Sequence, residues 1–200
     1  MTSPFSFLLP LVSVLVGLAV AHVVQSLHQL LRARPRVRWD ALPLGAALLA
    51  VLTVLNFWWS FYGFQTTGAY LSIAGFLPLL AELVLLYLLA AASLPEFPNG
   101  VPDEGFDLGA FYDANGPYFW TVFALFVVAV TADMVVQDLV LAPGGSLAGI
   151  AGFVVQNLLG VVFFAVLAVV RNRTVHRIAI PLWIALVLLD WWGLRLEAPV

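Results

Sequence analysis

Six long apolar runs divide the 200-residue chain: Phe5 to Leu31, Ala41 to Tyr62, Ala69 to Leu94, Pro117 to Leu139, Leu147 to Val170 and Ile178 to Leu194. Each is close to the roughly 20 residues that a helix needs to cross about 30 Å of hydrocarbon, the last being near the short limit. The pattern predicts an all-α fold, a polytopic membrane protein whose six transmembrane helices form one bundle and one domain over residues 1–200. Only one connection is long. Residues 95–116 carry Pro and Gly that break regular helix over the first half, while Phe106, Phe111 and Tyr112 predict that the loop lies against the membrane surface. A short interfacial helix over Asp107–Tyr112, capped by Asp107, fits there.

Composition agrees with this reading. The chain is 63% hydrophobic and 10% charged, against about 25% charged in soluble domains, and its mean hydropathy is +1.04. The absence of cysteine excludes disulfides, thiolate metal sites and Cys nucleophiles.

Charge placement sets the threading. All eight cations are arginines: Arg32, Arg34, Arg36 and Arg38 lie between the first two runs, Arg171, Arg173 and Arg177 between the last two, and Arg195 near the C-terminus. Cytoplasmic loops collect Arg and Lys, so both clusters belong inside and both termini outside. Ala19-Val20-Ala21 has the form of a signal-peptide cleavage site, but no basic residue precedes it, so the first run reads as a retained helix. Trp58, Trp59, Tyr62, Tyr70, Trp191 and Trp192 then mark the outer boundary, and Trp39, Tyr118 and Trp120 the inner one.

Polar groups inside the apolar runs are the candidate functional residues, because charge at membrane depth is costly. Glu82 sits near the middle of the third helix, with Gln156 and Asn157 at a similar level in the fifth. Were those helices in contact, a neutral Glu82 would donate to an amide carbonyl; the same residue also suits a proton or cation site. Asp133, Asp190 and Asn56 share the outer half, where no Arg or Lys neutralises them. On the first helix His22, Gln25, Ser26 and Gln29 follow i, i+3, i+4, i+7 and form one stripe, suited to lining an aqueous path or to hydrogen bonds between helices. Gly17 with Ala21, and Ala148 with Gly152, mark faces where helices can approach closely. Five carboxylates, Glu96, Asp103, Glu104, Asp107 and Asp113, would concentrate cations at the cytoplasmic mouth.

Other chemistries find little support. No H-E-x-x-H, G-x-S-x-G or P-loop is present. Haem ligation is disfavoured because His22 and His28 share one helix and His176 falls in a predicted loop. Asp113-Ala114-Asn115-Gly116 matches a calcium loop weakly and reads as a plain turn. No enzyme activity, cofactor, metal or nucleic acid is expected.

Arg32-x-Arg34, Leu42-Pro43-Leu44 and Asn56-Phe57-Trp58-Trp59 parallel Arg171-x-Arg173, Ile180-Pro181-Leu182 and Asp190-Trp191-Trp192. This is either a parallel internal repeat or the shared grammar of helices leaving the cytoplasm, with Pro in the first turn. The Arg-rich turn, Trp39 and a helix ending in Phe57-Trp58-Trp59 resemble uncharacterised multi-pass proteins of bacterial inner membranes, a resemblance that implies location and no activity. The expectation is a small membrane protein, either a channel or transporter for protons or a cation, or a non-transporting structural or accessory subunit. Its partners would be the lipid bilayer, a proton or cation, and copies of itself or a larger membrane complex.

Overall fold

A computed structural model describes residues 4–63, 73–141 and 146–193. Six helices, all long and apolar enough to cross a membrane, make up nearly all of it: α1 (Pro4–Arg32), α2 (Ala41–Gly63), α3 (Ile73–Ser93), α4 (Leu108–Val136), α5 (Leu147–Val169) and α6 (Arg173–Gly193). Consecutive helices run antiparallel, so residues 33–40, 94–107 and 170–172 gather at one end, here called the basic end. α4 is central, packing on α3 and α5 and touching α2; α1 packs on α2 and α3, and α6 on α2.

Side chains at several helix starts supply the acceptors that first-turn N–H groups lack. Asp107 accepts from Ala110 N–H at 3.0 Å, Ser146 from Gly149 N–H at 3.1 Å, and Asp40 from Leu42 N–H at 2.8 Å. The Ala110 N–H is the main reason the Asp107 carboxyl sits below the ordinary carboxylate range; the Gly109 N–H and the Arg38 and Arg173 charges add to it and outweigh desolvation.

Two helices start earlier than their apolar runs. α4 does not begin at Pro117 but at Leu108, so the expected short helix over Asp107–Tyr112 is its first turn and the loop ends nine residues sooner than residue 116. At about 1.5 Å per residue its 29 residues span roughly 44 Å, longer than the bilayer core. Pro117 removes one backbone donor, yet the helix runs through it, with Tyr112 buried and Asp113 held by Arg173 on the turn before; Thr121 Oγ1 donates back to the Pro117 carbonyl at 2.7 Å. The residues Asp113 to Gly116 are therefore helix and not a turn, with Asn115 donating to the Phe111 carbonyl.

α6 likewise starts at Arg173 and not at Ile178, which puts His176 on a helix and not in a loop. Arg173 and His176, three residues apart, both bond partners on α4. Pro181 consequently lies eight residues inside α6, whereas Pro43 is the third residue of α2, so the two prolines are not equivalent and Pro181 is not in a first turn. In the third run, helix is described from Ile73; residues 69–72 lie outside the described residues.

The long connection is tied down by a two-stranded parallel pairing of β1 (Val37–Arg38) with β2 (Phe106–Asp107). Gly105, at φ 96°, makes this possible twice over: its backbone conformation disfavours side chains, and a Cβ there would lie 2.7 Å from the Arg36 carbonyl oxygen. Three of the five loop carboxylates face arginine: Asp103 pairs with Arg36, Asp107 with Arg38 and Asp113 with Arg173. The expected free acidic mouth is thus largely neutralised, because the fold brings the basic and acidic connections to the same end.

Gly17, Ala21, Ala148 and Gly152 are all exposed, and a Cβ at Gly17 or Gly152 would meet nothing within 4 Å. The expected close helix approach is absent within one chain. Trp120, expected to mark the inner boundary, is fully buried, and its indole N–H finds acceptors inside the bundle. Trp39, Tyr118 and Trp59 are exposed, and the side chains of Tyr62, Tyr70 and Trp192 lie outside the described residues.

Candidate functional site

A cavity of about 700 Å³ lies among α2, α3, α4, α5 and α6, in the half of the bundle away from the basic end. Six of the residues singled out in the sequence line it: Asn56 from α2, Glu82 from α3, Asp133 from α4, Gln156 and Asn157 from α5, and Asp190 from α6. Each comes from an apolar helix; Glu82 and Asp133 are buried, Asn56 and Asn157 half-buried, and Gln156 and Asp190 exposed. Thr53 and Ser60 join them, and sequence reading missed both. Their signal was present, because Thr53, Asn56 and Ser60 follow i, i+3, i+7 on one face of α2.

Glu82 is buried at 3% exposure, and its Oε1 has no hydrogen-bond partner among the described residues. It lies within electrostatic reach of Asp133, which is also buried and accepts from Gln137 Nε2 at 2.5 Å. Asp190 is exposed at the rim beside Asn56, whose Oδ1 accepts the Trp191 indole N–H at 2.8 Å and ties α2 to α6. Neither amide of α5 bonds Glu82. α4 packs between α3 and α5, and Asn157 donates instead to the Phe153 carbonyl at 2.9 Å. Among the described residues no Arg, Lys or His lines the cavity.

Aromatic rings close the cavity toward the basic end. Phe123 stacks on Phe164 at 4.0 Å between centroids, Trp120 stacks on Phe164 at 5.8 Å, and Trp183 meets Phe164 edge-on at 4.7 Å. Beneath this layer His176 Nε2–H donates to the Val170 carbonyl at 2.7 Å, which leaves Nδ1 to accept the Tyr112 hydroxyl at 2.8 Å. The Trp120 N–H reaches the Tyr112 oxygen at 3.0 Å and His176 Nδ1 at 3.1 Å. Further toward the same end Arg173 bonds Asp40 and, at 2.9 and 3.0 Å, both carboxylate oxygens of Asp113.

The α1 stripe lies outside this cavity and is divided. His22 stands edge-on to Tyr87 of α3 at 5.9 Å, Ser26 is buried, and Gln29 Oε1 accepts the Phe97 N–H at 3.3 Å. Gln25 points outward and is exposed. A stripe about a quarter-turn wide thus serves a neighbour on one side and the surroundings on the other.

Compared with models of known protein families, with curated proteins and with solved structures, the chain matches none.

Proposed function

We propose that this protein is a small transporter or channel for protons or a cation in a bacterial inner membrane, with both termini outside and the basic end in the cytoplasm. The observation that carries the reading is that carboxyl groups from three helices, Glu82, Asp133 and Asp190, line one cavity whose described residues include no cationic side chain. A bundle that only needed hydrogen bonds between helices would satisfy Glu82, whose burial without a partner is costly. In this reading Glu82 is the midplane acid, Asp133 and Asp190 draw cations inward, and the aromatic layer is the barrier that must open. The topology follows from the arginine clusters.

Purified protein in liposomes under an imposed proton or potassium gradient tests this. Wild type should conduct above empty liposomes, and Glu82→Gln should lose at least nine-tenths of that flux while keeping its fold. A second reading, a non-transporting accessory subunit, draws on the closed aromatic layer. Absence of flux for protons and several alkali cations would favour it and sink the first.

A further inference from the structure

We propose that the cavity is a binding site for amphiphilic organic cations, reached sideways between α5 and α6. The proposal rests on the transport reading for its biological sense and on separate observations for its chemistry.

Size comes first. About 700 Å³ falls within the ~300–1,000 Å³ of sites that hold drug-sized molecules, whereas a proton or an alkali ion needs a small fraction of it. The arrangement of acids points the same way. Among the described residues no three Asp, Glu or His side chains come together as a group that could hold a metal ion. Metal sites demand converging oxygen ligands; here Glu82 and Asp190 stand on different walls, which suits an extended ligand. The remaining wall is aromatic, with Phe57, Phe126, Phe164 and Trp183 facing the cavity. Ring faces attract organic cations and cover their apolar parts. Three carboxyls on a wall whose described residues include no cationic side chain select against anions, and Glu82 Oε1, which has no hydrogen-bond partner among the described residues, offers a buried acceptor.

Access is built in. α5 and α6 are consecutive yet barely approach each other, meeting where Trp183 stacks on Phe163 at 5.2 Å. Beyond that point Gln156, Leu186 and Asp190 line the cavity and are themselves exposed. An amphiphile dissolved in the membrane would reach the acids there without crossing the aromatic layer.

The experiment is equilibrium dialysis of tetraphenylphosphonium against purified protein in detergent, with empty micelles as the blank and triphenylphosphine oxide as the neutral comparison. We expect saturable binding of the cation, no displacement by excess potassium, and much weaker binding of the neutral compound. Glu82→Gln should weaken binding at least tenfold, and Asp190→Asn, at an exposed rim position, should weaken it severalfold if Glu82→Gln does not fold. No saturable binding, equal binding of the neutral compound, or binding unchanged in both variants would overturn the proposal. Glu82-dependent proton or potassium flux without tetraphenylphosphonium binding would overturn this inference and leave the transport reading intact. Glu82-dependent binding without flux would support this inference and remove the transport reading.

Discussion

The two ends of this bundle solve the problem of buried polar groups in opposite ways. At the basic end Arg173 faces two carboxylates, Asp40 and Asp113, and His176, Tyr112 and Trp120 bond one another and the Val170 carbonyl. In the other half a carboxyl from the same helical scaffold, Glu82, is buried with one oxygen unmatched beside a cavity of about 700 Å³. The difference teaches where each kind of free energy resides. Satisfied networks stabilise the fold, whereas an unsatisfied buried acid raises its energy and needs a reason to be there, which the proposed site would supply.

Substitutions at the two ends should therefore affect stability very differently, and unfolding of the purified protein by sodium dodecyl sulfate in mixed micelles measures this. Trp120→Ala should have the largest effect. Its ring is fully buried and its indole donates, so about 3–5 kcal/mol should be lost; a loss under about 1 kcal/mol would show that the aromatic layer does not anchor the fold. Arg173→Ala strands the half-buried Asp40 and should cost about 1–2 kcal/mol, with Asp40→Asn in the same background recovering part of it. Asp103→Asn breaks a pair in which Asp103 is 99% exposed, and should cost less than about 0.5 kcal/mol, an effect that salt erases. Glu82→Gln should cost nothing measurable in stability while abolishing flux. Strong destabilisation by that change would make Glu82 a structural group and dissolve the contrast between the two halves.

Much of the architecture was legible before folding. α2 and α5 begin and end within a residue of their apolar runs, because a segment of about 20 apolar residues has few other ways to satisfy its backbone in lipid. The start of α4 after its Asp107 cap was legible as a short capped helix, but its continuation through Pro117 was not, nor was the early start of α6. Their extra turns carry Tyr112, Asp113, Arg173 and His176, polar enough to look like loop until the partners across the two helices are known. The same holds for Trp120, whose sequence position suggests an interface and whose hydrogen bonds put it in the core.

The candidate site divides along the same line. Glu82, Asp133 and Asp190 stand out in any reading, since each is an acid inside an apolar run. That they share one cavity with Asn56, Gln156 and Asn157, while His22, Gln25, Ser26 and Gln29 do not, depends on how each helix is rotated about its axis. Sequence alone determined the number of helices, their approximate lengths, the clustering of arginine and the residues whose burial would need a reason, because hydrophobicity and charge act residue by residue. Only tertiary structure decided which polar groups meet, which acids are neutralised by arginine and where the cavity opens, because those follow from packing between segments distant in the chain.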